Sequence, residues 1–336
     1  MPRTAFAVAA TACGILGTGC AAETGGEQAA VVTNGPTFAE TMLVSDGSGA
    51  AFQDKNLVNS WGVARDADGL FWIADNGTGS ITIVDNTGAP STGEYKSDQF
   101  MVGAGITGIV AATDKSLDAD FIVASETGEV FRINGDDQPT KGIAFAKQPD
   151  AVYKGVAVET VDGAAIVLAA NFHAGKVDAF DVTGKLVSCD TSFIDPNLPA
   201  GYAPFNVVVA DNEVWVSYAQ QDAQKHDEND GPGLGLIDIY DLHGNFMKRF
   251  TTGGELDAPW AMVPIADMLY VGNFGDGRIT AFNVASGKDV GQLDAAPVDG
   301  LWGIVADSPT QLYVAAGPDM EAHGLFAKLA PGNGRH

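Results

Sequence analysis

An all-β fold, a six-bladed β-propeller, is predicted for residues 39–330 by three observations: six internal repeats, strand periods throughout, and turn residues at recurring offsets. Each repeat runs from a small or aromatic pair into a short apolar strand, then a second apolar strand, a Gly-rich turn and a third strand. The first repeat is Trp61-Gly62-Val63-Ala64, Phe71-Trp72-Ile73-Ala74 and Ser80 to Asp85. The others open on Thr107-Gly108, Lys154-Gly155, Phe205-Asn206, Trp260-Ala261 and Trp302-Gly303. With Gly62, Gly108, Gly155, Asn206, Ala261 and Gly303 taken as equivalent, the spacings are 46, 47, 51, 55 and 42 residues. A unit of three or four strands recurring at that interval is the pattern of propeller blades.

Each element has its own justification. The first two strands of a unit are nearly continuous apolar runs, as burial between neighbouring sheets requires. The third alternates, as in Ile81-Thr82-Ile83, and is expected to have one wetter face. Asp85, Asp181 and Asp241 each reach a glycine three residues later (Gly88, Gly184, Gly244), which is β-turn chemistry. Ala39 to Ser45 is an extra strand. It is expected to close the ring by joining the sixth blade, which lacks a clear fourth strand.

Composition excludes some functions. Asp and Glu number 43 against 18 Lys and Arg, a formal charge of −25. Nucleic-acid binding needs a basic footprint, and adsorption to anionic lipid is disfavoured for the same reason. An acidic surface suits solubility, or the attraction of metal ions and cationic ligands.

The first twenty residues read as a secretory signal, with Arg3 as a positive n-region and Ala5 to Leu16 as an apolar stretch too short to span a membrane. Leu16-Gly17-Thr18-Gly19-Cys20 resembles a lipoprotein lipobox, with Gly17 where leucine is usual. Cys20 is therefore a candidate for lipidation, which leaves Cys189 unpaired. The alternative, cleavage near Ala21-Ala22, frees Cys20 to pair with Cys189. Residues 21–38 suit a flexible tether and 331–336 a short tail. These features predict export, to the periplasm, the cell surface or the medium, with membrane attachment only through a lipid anchor.

The loop leading into a blade's first strand and the loop between its second and third strands open on one face. The candidate ligand-binding residues lie in those loops: Asn59, Trp61, Asn76, Lys154, Asn171, Asn206, Tyr218, Trp260, Asn273, Asp276 and Trp302. The three tryptophans are equivalent in the repeat and suit inter-blade packing or an aromatic pocket. The asparagines before Gly175 and Gly277 also fit simple turns. Lys154 replaces a small or aromatic residue near the channel, where it needs a carboxylate partner or an anionic ligand. The fourth blade carries a long polar loop between Ser217 and Ile237 that could lid the channel.

His173, His226 and His323 are candidate zinc ligands, although no local spacing links them. Asp227, Glu228 and Asp230 offer oxygens of the kind calcium takes, without EF-hand spacing. Glu321 or Asp227 would then act as general base. P-loop, GxSxG and CxxC motifs are absent.

Several segments, Asn56 to Gly62, Trp72 to Gly79, Ala170 to Gly175, Asp195 to Gly201, Lys225 to Asp227, Gly272 to Gly277 and His323-Gly324, resemble an uncharacterised bacterial family. Some of its members end in PEP-CTERM sorting tails. The resemblance covers about residues 40–330 and implies an NHL-like or TolB-like six-bladed propeller on the outer side of a membrane, with no established activity. It leaves two readings open. One is a scaffold binding a small molecule or an envelope protein at the channel face. The other is a metal-dependent lyase or hydrolase with a His-lined mouth.

Overall fold

The computed structural model describes residues 37–91, 100–135, 141–187, 192–308 and 310–332. Cys20, Cys189, the predicted signal and the tether up to residue 36 lie outside them, as does the tail beyond Gly332, while Phe38, counted with the tether, belongs to the first strand. Six sheets follow one another along the chain, antiparallel except for one short parallel pair of Phe52–Gln53 with Val44 and Ser45. Their innermost strands are Ser60–Arg65, Ile106–Ala111, Tyr153–Val161, Tyr202–Ala210, Pro259–Ile265 and Leu301–Ser308. Each touches the next, and the last returns to the first, so the strands stand round one axis as in a six-bladed β-propeller.

The ring is closed as the extra strand suggested. Phe38–Ser45 pairs antiparallel with Leu325–Pro331, so the first strand of the chain completes the sixth blade. Closure joins the two ends of the described chain and leaves no gap between the last blade and the first.

Packing is radial. Phe71, Trp72, Ile73 and Ala74 in the second strand of blade 1 are all buried between neighbouring sheets. The third strand, Ser80–Val84, is buried at every position, so the wetter face expected there does not exist. Thr82 is accommodated because its hydroxyl donates to Asp75 Oδ2 at 2.7 Å. A polar residue with an internal partner can be buried at small cost, which alternation alone does not reveal. The Asp-to-Gly turns form as expected, with Gly88, Gly184 and Gly244 donating to the carbonyls of Asp85, Asp181 and Asp241.

Each innermost strand carries a register shift at the same place, between Ser60 and Val63, Ile106 and Ile109, Tyr153 and Val156, Pro204 and Asn206, Pro259 and Ala261, and Leu301 and Ile304. A bulge bends the strand and re-aims a side chain. Here it falls on Trp61, Thr107, Lys154, Phe205, Trp260 and Trp302, the residues that open the repeats. In four of the blades a glycine follows (Gly62, Gly108, Gly155 and Gly303) and allows the strands to close in. A Cβ on Gly62 would stand 2.6 Å from the Thr107 carbonyl oxygen and 2.7 Å from the Ile109 nitrogen. The channel therefore has a narrow waist.

Gly62→Ala should lower unfolding stability in urea by about 1–3 kcal/mol, because backbone atoms of the next blade must move. Gly47→Ala, where no atom lies within 4 Å of the added methyl, should leave it nearly unchanged.

Candidate functional site

Above the waist the re-aimed side chains plug the channel. Trp61 and Trp302 stack with ring centroids 3.6 Å apart, and Trp260 meets them edge-on at 6.4 and 5.8 Å. Phe274 stacks on Trp302 at 4.2 Å and Phe205 approaches it at 5.8 Å. The indoles of Trp61 and Trp302 donate to Asn59 Oδ1 at 2.9 Å and Glu321 Oε1 at 3.0 Å. Of the two roles open to the tryptophans, packing prevails, since all three are at most 4% exposed.

Lys154 is the one charged member of this plug. Its side chain is fully buried, with Nζ 4.8 Å from the Trp61 ring centroid and 5.8 Å from that of Phe172. It donates to Glu126 Oε1 at 2.6 Å and Asp227 Oδ1 at 3.3 Å. Glu126 accepts from Asn76 Nδ2 at 3.0 Å, and Asn76 accepts from Asn59 Nδ2 at 3.4 Å. Burial works against the Lys154 charge, but the carboxylates of Glu126, Glu228 and Asp227 outweigh it and hold the pKa above the ordinary lysine value.

The long loop of blade 4 supplies part of this cluster. Glu213–Gln221 runs on past the blade and pairs with Glu228–Asn229 in a small hairpin over the mouth. Asp222 Oδ1 accepts from the backbone nitrogen of His226 at 2.9 Å and closes its turn. Burial would raise the Asp227 carboxyl, yet the His226 hydrogen bond at 2.9 Å and the Lys154 ammonium hold it below the usual range. Burial pushes Glu228 up to about 7, against the pull of Lys154. Glu321 is raised as well, again mainly by burial.

Glu321 sits on an unusual turn. Asp319, Met320 and Glu321 have φ of 58°, 52° and 65°, three consecutive non-glycine residues in the left-handed region. Such backbone is costly and persists where surrounding contacts fix it, often at functional sites. Here Asp319 N donates to Asp299 Oδ2 at 2.8 Å, and Glu321 N to the Gly317 carbonyl at 3.1 Å.

The structure thus brings together Lys154, Asp227, His226, Glu321, Asn59, Asn76 and the three tryptophans. It does not assemble the three histidines. Among the described residues, the ligand-type atoms that lie within 4.8 Å of one another in a group of three belong to Glu126, His226 and Asp227. His323 instead bonds Asp46 Oδ2 through Nδ1 at 2.8 Å, and His173 stands outside the group. The ammonium of Lys154 already holds two of the three grouped residues.

The remaining candidates serve the scaffold. Asn171 Nδ2 donates to Asp178 at 2.9 Å, Asn206 Nδ2 to the Trp260 carbonyl at 2.7 Å, and Asn273 Nδ2 to the Glu255 carbonyl at 2.7 Å. Tyr218 shares a 2.6 Å hydrogen bond with Tyr240 in the buried core of blade 4. Asp276 accepts from Arg278 N at 2.9 Å and closes a turn. Glu126 directly follows the second strand of blade 2 as Asn76 follows that of blade 1, on the rim where strand order puts it, although it was not among the candidate site residues. That register was the available signal. Glu228 was read only as a possible calcium ligand.

The fold defines a six-bladed β-propeller. A protein of unknown function from Bacteroides thetaiotaomicron superposes with a TM-score of 0.58 at 13% identity, covering 87% of this chain and 76% of that one. A streptogramin B lyase gives 0.53 at 12% identity, covering 88% and 98%. The PQQ-bound aldose sugar dehydrogenase of Streptomyces coelicolor gives 0.54 at 11%, covering 88% and 99%. These likenesses concern the fold alone. No protein-family profile matches the chain.

The chain belongs to the family of the uncharacterised protein R648 of Acanthamoeba polyphaga mimivirus, with which it shares 30% identity over 329 residues, 87% of this chain and 80% of that one. A second uncharacterised mimivirus protein, L690, is 28% identical over 313 residues, 83% of this chain and 82% of its own length.

Lys154→Met should cost about 1–3 kcal/mol of stability, because it takes the ammonium from the largely buried Glu126 carboxylate while Asp227 stays solvated. Adding Glu126→Gln to it should restore part of the loss in urea unfolding. Glu228 has a folded pKa of about 7, above its unfolded value near 4.5, so the folded state binds the extra proton between them. Its contribution to stability is full below pH 4.5 and declines as pH rises through 7. Glu228→Gln should flatten that decline in a series of unfolding curves from pH 4.5 to 8.

Proposed function

We propose that this protein is a non-catalytic binding propeller whose channel mouth takes a cationic group, such as the ammonium or guanidinium of a small molecule or of an envelope protein. The observation that carries the reading is the carboxylate cluster. Glu126, Asp227, Glu228 and Glu321 surround a single ammonium, which Lys154 already commits to Glu126 and Asp227. The mouth is left with surplus negative charge on rigid strand ends and a strained turn. A second cation would gain from Glu321 and from Glu228 once its proton is released.

Export, with lipidation at Cys20, is part of the same proposal and rests on the apolar stretch from Ala5 to Leu16 and the small residues before Cys20. The metal-dependent alternative keeps one observation in its favour, the Glu126, His226 and Asp227 group. Zinc or calcium there would have to share two carboxylates with a buried ammonium, which like-charge repulsion opposes.

Titration calorimetry of the full chain with putrescine, arginine methyl ester, acetate, zinc and calcium tests this. The organic cations should bind, acetate should not, and affinity should rise from pH 6 to pH 8 with proton release. Glu321→Gln should weaken binding about tenfold, equivalent to about 1.4 kcal/mol. Zinc binding that excludes the amines and is lost in His226→Ala would instead favour the metalloenzyme, and absence of cation binding would overturn both.

A further inference from the structure

The seam between blades 3 and 4 holds an ionisable group that the mouth does not use. Glu159 lies on the innermost strand of blade 3, Tyr153–Val161, near the end away from the mouth. Its side chain turns toward blade 4. Ala157, two positions earlier on the same face of the strand, packs with Val207 and Val214 of that blade, and Ile166, directly across from Glu159, packs on the same cluster. Glu159 is 5% exposed, and its Oε2 is buried with no hydrogen-bond partner.

Among the described residues no cation offsets it. The strands packed against its own are Ile106–Ala111, Phe121–Ser125, Ala164–Asn171 and Tyr202–Ala210. They carry no acidic or basic side chain, and their one titratable group, Tyr202, opens its strand at the mouth end. The turns at the lower end bring Asp114, Lys115, Asp118 and Asp120 from blade 2, and Asp162, Asp181 and Lys185 from blade 3. Blade 4 adds Asp211, Glu213, Asp241 and His243. Of these, the charge that acts on Glu159 is that of Asp241, and it is negative. Burial, with Asp241 in second place, pushes the Glu159 carboxyl up to about 8.

A carboxylic acid can stay in such a place as a neutral group. Its carboxylate needs water or a donor, and the closed seam supplies neither. The upper end of the same seam is held differently, because Lys154 on the same strand reaches across to Asp227 of blade 4 at 3.3 Å.

We propose that Glu159 is a proton-operated catch in this seam. Protonated, it lets the lower ends of blades 3 and 4 stay packed. Without its proton that end opens to admit water, while the Lys154–Asp227 pair keeps the mouth end closed. The device is independent of what the mouth binds. Its sign follows from the folded value of about 8, which lies above the unfolded value near 4.5, so the folded state keeps a proton that the unfolded chain has lost. The stability this contributes is full below pH 4.5 and declines as pH rises through 8.

The test is amide hydrogen exchange, read by mass spectrometry, on the full chain and on Glu159→Gln at matched pH, so that intrinsic exchange rates cancel. At pH 6 the two should exchange alike. At pH 9 the wild-type amides of residues 157–161 and 207–210 should exchange at least about tenfold faster than those of the variant, with blades 1 and 6 equal in both. Glu159→Met removes every polar atom of the side chain and should behave as Glu159→Gln does, which keeps the test open if the glutamine variant does not fold. Seam amides as well protected in the wild type as in the variants at pH 9 would overturn the proposal. So would a difference already present at pH 6 in both variants, or one spread evenly over all six blades.

Discussion

Six strand edges converge on one axis, and everything distinctive about this molecule follows from how closely they approach. Side chains between the edges would hold them apart. Where Gly62 passes the Thr107 carbonyl, the neighbouring backbone leaves no room for a methyl group. Close approach at these positions creates the waist, and the bulge beside each one turns the preceding residue toward the axis. Plug and mouth are consequences of that single arrangement.

Within the plug, Lys154 is the exception that organises the mouth. A buried ammonium survives only with partners, and these come from three blades: Glu126 from blade 2, Asp227 from the hairpin of blade 4, and the Trp61 face from blade 1. Its demand for carboxylates fixes the polar loops above an otherwise aromatic floor. Burial raises Glu321, and it raises Glu228 to about 7, which brings that carboxyl into the neutral range.

Blade number, ring closure by the first strand, the equivalence of Trp61, Trp260 and Trp302, and the singularity of Lys154 were all legible in the sequence. Each depends on a local pattern repeated at a regular interval. The candidate site was legible only in part. Lys154, Asp227, Glu321, Asn59 and Asn76 were placed on the correct rim, because strand order decides which loops share a face. Asn171, Asn206, Asn273, Tyr218 and Asp276 were placed by the same rule, yet their polar atoms are used within turns and between blades. The three histidines failed for a related reason. A shared rim does not fix side-chain direction, and Asp46, at the far end of the chain, takes His323.

The sequence by itself determined the architecture, since repeat length, strand period and turn chemistry are local quantities that add along the chain. It also determined that a lysine would stand where its neighbours carry aromatic or small residues. Only the tertiary structure decided which carboxylates meet that lysine, that Thr82 lies fully buried, and that Trp260 alone of the three plug indoles lacks an acceptor. The contacts of Lys154 join residues 28 and 73 positions apart in the chain. Ring closure sets such distances all at once, and no local pattern encodes them.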